Sequence, residues 1–435
     1  MAYDHTGYVL HETKLLPIMY KCTLTKRTWP IQKESEMTRS GYSIYTLLLG
    51  KFRKSTMIKL LSPFTKKFIL YLLCISGLIF YCKYGIYYVV LSQCNWPSDN
   101  NMTSEQPIKV MFLADTHLLG TRKGHWLDKM IREWEMGCAF QTAIKLHKPE
   151  LIFVLGDLFD EGLWSSERDF NSYVETFKYL FSVPSDIQLY AIVGNHDIGF
   201  HYSITPHLEK RFNKVFNTGP VELISRRNVH FVTINSMAME MDGCFLCHAA
   251  KLKLNIISKR LKCSQNENKC SKKMMLDGNY SKPILLQHFP LYRKNDMACN
   301  EPDSASLKEK EKPFRAGIDC LRKDATDKLL KLVQPRLVFG GHTHHGCHIE
   351  HTNGVHEYSI SSFNWRNKYN PSYMLALFTM DNYSIETCYM PREHTIVFTY
   401  LTSIIIFLFF KILKLKPTSS INNDHHLFNS KKSNH

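Results

Sequence analysis

The chain has 435 residues, a formal charge of +16, 13 cysteines and 22% charged residues. One α/β domain of about 290 residues plus membrane segments accounts for that length, and no internal repeat is visible. The positive excess lies at the ends, with 12 Lys/Arg against 4 Asp/Glu in residues 1–67 and 5 against 1 in residues 411–435, so the nearly neutral middle is excluded as a nucleic-acid-binding surface.

In chain order, residues 1–50 show no sustained period, and Met57 stands shortly before a basic flank. The working protein is expected either to start near Met57 or to carry a variable first exon; peptide mass spectrometry finding residues 1–50 in the mature protein would overturn that. Residues 1–67 read as a basic cytosolic segment. Phe68 to Leu91 runs 24 residues with a single charge at Lys83, long enough to span a bilayer. Residues 92–107 read as a polar linker, and residues 108–394 as the folded domain.

Within that domain, Ile108–Ala114, Leu151–Leu155, Leu189–Val193, Val229–Asn235, Ile284–Leu286 and Leu337–Phe339 are short apolar runs of the kind buried on both faces of a sheet. Helical patterns at Leu127–Leu146, Phe170–Phe181 and Thr326–Val333 fall between some of them. The fold class is α/β. Residues 240–283 and 294–316 read as polar insertions, the latter holding the solvated run Lys308-Glu-Lys-Glu-Lys312.

Thr395 to Phe410 is 16 residues without a charge, giving a second span over residues 395–413 and a cytosolic tail over 414–435. Lysines precede the first span and follow the second, so both ends face the cytosol and the middle faces the lumen. The sequons at Asn101, Asn279 and Asn382 and ten of the thirteen cysteines lie between the spans, which agrees. The pairing of those cysteines is open, and a zinc site at Cys244, Cys247, Cys263 and Cys270 is disfavoured by the oxidising setting. Lys431-Lys432 lies one position too far from the terminus for a dilysine retrieval signal.

Five polar strings carry the chemistry: Asp115-Thr-His117, Gly156-Asp157-Leu-Phe-Asp160, Gly194-Asn195-His196-Asp197, His288, and Gly341-His342-Thr-His344. Four of them directly follow an apolar run, where the carboxyl end of a strand collects ligands in an α/β sheet. Attack on a phosphate needs a nucleophile, neutralised phosphoryl oxygens and help for the leaving group, and two divalent ions about 3.5–4 Å apart supply all three. Such a pair needs a shared ligand; a carboxylate can bridge where a neutral imidazole cannot, so Asp157 is the natural bridge. Imidazoles and the Asn195 carbonyl then complete the shells without excess negative charge. His196 is left over as a non-ligand.

The ordered set resembles the calcineurin-like metallophosphoesterase superfamily, over roughly residues 108–390. That resemblance implies two stacked β-sheets flanked by helices. It assigns Asp115, His117, Asp157 and His344 to one metal and Asp157, Asn195, His288 and His342 to the other. It makes His196 the residue that contacts the phosphate and protonates the leaving oxygen, oriented by Asp197. The family nucleophile is held by the metals, so no Ser or Cys nucleophile is expected. Asp160 is expected to orient rather than ligate. The Trp365-Arg366-Asn367 segment is read equally as a sugar or phosphate contact and as a structural loop.

The stretches between the motifs, among them Leu113–Gly120, Gly194–Tyr202 and Ser362–Asn367, resemble a membrane-bound branch of the superfamily that acts on GPI anchors. This implies removal of an ethanolamine phosphate from an anchor mannose, two Mn²⁺ ions, and GPI-anchored proteins or GPI glycolipid as substrate. It also implies residence at endoplasmic reticulum exit sites, the intermediate compartment and the cis-Golgi, with cytosolic tails free to meet coat or cargo-receptor proteins. The competing enzyme reading is hydrolysis of another phospholipid or phosphodiester. A non-catalytic scaffold, the reading from a different class, requires lost ligands, whereas all seven and His196 are present.

Overall fold

Runs of apolar residues without alternation suit strands covered on both faces, and the chain builds two mixed sheets from them. The computed structural model describes residues 62–98, 106–240, 243–265, 270–271 and 274–415. The expected start at Met57, the rest of the basic segment through residue 61, the Asn101 sequon and the tail beyond residue 415 lie outside the described residues.

The strands are β1 (Ile108–Leu113), β2 (Leu151–Leu155), β3 (Gln188–Ile192), β4 (Val221–Arg226), β5 (Val229–Ile234), β6 (Ile284–Leu286), β7 (Leu337–Gly340), β8 (Cys347–Glu350), β9 (His356–Ser359), β10 (Ser372–Phe378) and β11 (Tyr383–Tyr389). One sheet has the order β11-β10-β1-β2-β3 and the other β4-β5-β6-β7-β9-β8. β1, β2 and β3 are parallel, as are β5, β6, β7 and β9, while β10 lies antiparallel on β1. Aromatic residues close the two sheets on each other: Phe112 of the first stacks on Phe339 of the second with ring centroids 4.2 Å apart, and Phe153 meets Phe231 at 5.1 Å. The two stacked sheets expected from the motifs are thereby present.

The helices are α1 (Pro63–Leu91), α2 (Trp126–His147), α3 (Glu167–Leu180), α4 (Pro206–Phe216), α5 (Phe245–Gln265), α6 (Lys323–Val333) and α7 (Glu393–Leu415). The reading of residues 240–283 as a polar insertion needs correction. Leu246, Ala250, Leu254, Ile257 and Leu261 form one buried stripe at helical spacing, and α5 packs it against α6 and β4. Lysines on the other face had masked the stripe. Residues 294–316 are mostly loop, with one short turn at Leu307–Lys310 capped by Ser306 and Glu309.

α1 begins at an Ser62 cap with Pro63 in its first turn and passes through a π-helical turn at Tyr81–Gly85. Its apolar residues from Phe64 to Tyr81 are mostly exposed, and the 18 residues of Pro63–Phe80 span about 27 Å. From Cys82 the helix changes surroundings. Cys82, Ile86, Tyr87 and Leu91 are buried, the Tyr84 and Tyr87 rings meet Trp134 of α2 edge-on, and Lys83 Nζ sits 4.6 Å above the same indole. The last third of the segment expected to span the membrane is thus part of the domain's packing. Tyr87→Ala is expected to lower stability by about 3–5 kcal/mol, the range for deleting a buried aromatic, read as a fall in thermal midpoint. An unchanged midpoint would show that α1 does not support the domain. α7, with Thr395–Phe410 at its centre, is the second helix long and apolar enough to cross a membrane.

Cys94 pairs with Cys388 and Cys299 with Cys347. Cys244 pairs with Cys247 and Cys263 with Cys270, which leaves none of those four for zinc. Cys320 differs from the expected disulfide pool: it is a buried free thiol whose Sγ faces the Arg293 carbonyl. The sequon residues Asn279 and Asn382 are exposed.

Candidate metal centre

Five strands end at the same place. β1 delivers Asp115 and His117, β2 delivers Asp157, β3 delivers Asn195, β6 delivers His288, and β7 delivers His342 and His344. The loops after β1 and β2 are zipped by backbone bonds, Asp115 N–H to Gly156 O at 3.1 Å and His117 N–H to Asp157 O at 2.9 Å. Side chains at these tight loop positions aim inward at a conformational cost. Asp115, His117, Asp157, His342 and His344 all have positive φ, between 40° and 72°, and such backbone costs on the order of 1–3 kcal/mol per residue. Glycines make room for the approach: a Cβ on Gly194 would lie 2.2 Å from Asp157 N, and one on Gly156 2.5 Å from His288 Nδ1.

The donors fall into two groups. In the first, His117 Nε2 lies 2.9 Å from His344 Nε2 and 3.9 Å from Asp115 Oδ1, and His344 Nε2 is 3.8 Å from Asp115 Oδ1. In the second, His288 Nε2 lies 3.2 Å from Asp157 Oδ2 and 3.1 Å from Asn195 Oδ1, with His342 beside them. Asp157 Oδ2 also stands 3.5 Å from His117 Nε2, so this carboxylate touches both groups.

Carbonyl oxygens set the tautomers. His288 Nδ1–H donates to Leu155 O at 2.8 Å, leaving Nε2 as the inward lone pair, and His342 Nε2–H donates to Ile318 O at 2.7 Å, leaving Nδ1. Burial and neighbouring imidazoles keep His342 and His344 neutral, with His342 pushed down to about 3 and His344 well below its ordinary value. Burial raises Asp115 to about 8. Burial opposes charge on His288 as well, but Asp157 outweighs it and lifts that imidazole to about 9. Burial likewise works against the Asp157 carboxylate, yet His288 brings it well below the ordinary carboxylate range.

His196 is about one-third exposed beside this cluster, its ring 4.7 Å from that of His117. Its Nδ1 faces the Asp160 carbonyl at 3.0 Å and the Asp160 carboxylate at 3.5 Å. Both partners accept, so Nδ1 carries a proton and Nε2 is the free position. Asp160 Oδ1 is also 3.4 Å from His117 Nδ1, and Arg366 Nη1 is 3.6 Å from Oδ2. The orienting role expected of Asp197 falls to Asp160. Asp197 is fully buried and accepts from Gly194 N at 2.8 Å and Phe159 N at 3.0 Å, so it shapes the loops that carry Asn195 and Asp157. Burial and the nearby Asp157 hold its carboxyl well above the usual range.

The calcineurin-like phosphoesterase pattern matches residues 108–346, more than half of the chain. The chain belongs to the calcineurin-like phosphoesterase family. Proteins called Metallophosphoesterase 1 from Gallus gallus and Mus musculus are 46% identical over 358 residues and 45% identical over 333 residues. The first alignment covers 79% of this chain and 90% of that protein, the second 75% and 84%.

The donor set of this phosphoesterase fits two divalent ions. Two buried carboxylates, an amide oxygen and four imidazoles converge without a thiolate, a set that suits Mn, Fe or Zn. Protons compensate the buried carboxylates where cations would: Asp115 keeps one up to about 8 and His288 up to about 9. Groups with raised values stabilise the fold below their unfolded values and lose that contribution as pH rises through the folded ones. Metal-free protein is therefore expected to become less stable between about pH 6 and 9. Binding displaces the same protons, so Mn²⁺ should raise the thermal midpoint more at the alkaline end, by on the order of 5 °C. Scanning calorimetry at several pH values checks this; an equal rise at all of them would contradict it.

Several supports carried no sequence signal. Ser236 Oγ accepts from His288 N and Phe289 N at 3.1 and 2.9 Å, Ser362 Oγ donates to Asp115 O at 2.7 Å, and Asn364 Nδ2 donates to Thr116 O at 2.8 Å. In the Trp365-Arg366-Asn367 segment, Trp365 Nε1 is tied to Pro391 O and Asn367 to Ser362, so these two are structural. Arg366 alone reaches the rim. Asp160→Asn is expected to reduce kcat/KM about 10–100-fold while retaining bound metal, because it loosens His117 and His196 together. Metal analysis beside the rate measurement separates this from metal loss.

Proposed function

We propose that this protein is a metal-dependent phosphodiesterase that removes a side-chain ethanolamine phosphate from a mannose of GPI anchors, supporting transport of GPI-anchored proteins from the endoplasmic reticulum to the Golgi. The observation that carries the reaction class is Asp157, shared by two donor groups, with the free Nε2 of His196 beside them. Asp115, His117, Asp157 and His344 would hold one ion, and Asp157, Asn195, His288 and His342 the other. When bound, the ions neutralise the phosphoryl oxygens and lower the pKa of the attacking water.

The chain's own part is positioning and proton transfer. Leu155 O and Ile318 O hold the imidazole lone pairs inward, and Asp160 keeps His196 Nδ1 protonated so that Nε2 can pass a proton to the departing sugar oxygen. Apolar helices flank the domain in sequence, and tethering at both ends would confine the site to the bilayer surface where an anchor glycan lies. The flanking lysines and the disulfides support a lumenal domain. Resemblance in the stretches between the motifs supports Mn²⁺, the glycolipid substrate and the exit-site to cis-Golgi location.

The test is Mn²⁺-dependent release of ethanolamine phosphate from GPI-anchored protein by the purified full chain. If metal-loaded protein leaves that branch intact while cleaving a phospholipid or another diester, the substrate reading fails and only the reaction class stands.

A further inference from the structure

The polar segment over residues 294–316 lies against the metal centre. Together with residues up to Asp319 it forms one wall of a cleft of about 400 Å³ that includes His342 itself, so a group esterified to a phosphate held by the donor sets has this space beside it. Small-molecule sites start at about 300 Å³, and the two-carbon arm of ethanolamine fills little of such a volume.

The walls specify the occupant. Arg315 is bonded twice to Asp319, Nε to Oδ2 at 2.9 Å and Nη2 to Oδ1 at 2.8 Å. Asp296 is held by Arg293 at 2.7 Å, and Glu309 accepts from Ser306 Oγ at 2.8 Å and Ser306 N at 3.2 Å, with Lys312 in the same wall. The charges compensate one another and leave fixed acceptors and donors, an arrangement suited to a neutral hydroxyl-bearing ligand and unsuited to an acyl chain. Phe314 adds a half-buried aromatic ring, held by the Arg293 guanidinium 5.3 Å from its centroid. The wall and a metal donor form one piece, because Ile318 O fixes the His342 tautomer while Ile318 N–H bonds Arg315 O.

We infer that this cleft is a glycan subsite that seats the pyranose ring carrying the scissile phosphate, with Phe314 against the ring's apolar face and Glu309 and Asp319 accepting from its hydroxyls. The inference rests on the phosphodiesterase reading above and names the part of the substrate that this chain selects.

The test compares two diesters with the same ethanolamine phosphate, one on mannose and one on glycerol. The wild-type chain is expected to favour the mannose diester in kcat/KM. Phe314→Ala and Glu309→Gln should each lower that preference about tenfold, mainly through KM for the mannose diester, because a site built to bond hydroxyls discriminates by them. Glu309→Gln keeps the oxygen that caps Ser306 and guards against a folding defect. A preference unchanged in both variants overturns the subsite. Should the wild-type chain hydrolyse neither diester, the phosphodiesterase reading fails by itself, and calorimetric titration with mannose phosphate against glycerol phosphate judges the cleft. Tighter mannose phosphate binding that both variants weaken upholds it, and equal binding of the two ligands overturns it.

Discussion

Asp157→Ala is expected to lower kcat/KM by about four orders of magnitude and to strip metal from the protein. The size follows from three simultaneous contacts. Asp157 Oδ2 faces His117 and His288, one from each donor group, and Oδ1 accepts from His196 N at 2.7 Å. Alanine removes the carboxylate common to both groups, leaves the buried His288 without its counter-charge, and frees the loop that presents His196. Asp157→Asn separates these effects, because the amide keeps an acceptor for His196 N while losing the charge. Its activity should fall nearly as far, with less thermal destabilisation than the alanine variant. Elemental analysis and rates on the same samples decide the matter. An Asp157→Asn protein with full metal content and wild-type activity would mean that the two donor groups do not share this ligand.

The donor residues were readable from sequence because four of the five strings directly follow a strand short enough to be seen as an apolar run, as with Leu151–Leu155 before Gly156-Asp157. What holds the donors was not readable. The left-handed backbone at Asp115 or His344 arises from loops zipped across strands, and the tautomers of His288 and His342 depend on carbonyls 133 and 24 residues away. The resemblance implies Asp197 as the orienting group of His196, yet on the short helical turn Asn195–Ile198 its side chain turns to the backbone of Gly194 and Phe159. In the fold, β10 is a fully buried strand paired with β1 across more than 260 residues, a pairing no local pattern carries. α5 was hidden for another reason: 13 of its 21 positions face outward or sideways, and an average over them conceals a single stripe. The buried end of α1 escaped notice because an apolar helix reads alike whether lipid or protein covers it.

His196→Ala should lower kcat by roughly 10²–10⁴-fold with metal content retained, since His196 stands beside the donors with its ring tied through Nδ1 to the Asp160 carbonyl. The leaving group makes the prediction specific. A sugar alkoxide departs poorly without a proton, whereas p-nitrophenolate departs readily as the anion, so the variant's loss should be far smaller on a p-nitrophenyl diester than on a mannose diester. A residue that only shaped the site would slow both substrates alike. Asp160→Asn gives the intermediate case: His196 keeps the Asp160 carbonyl but loses the carboxylate beside Nδ1, so the selective loss on the mannose diester should be smaller than in His196→Ala. Equal losses on both leaving groups would reassign the proton to another donor and reduce His196 to a phosphate contact.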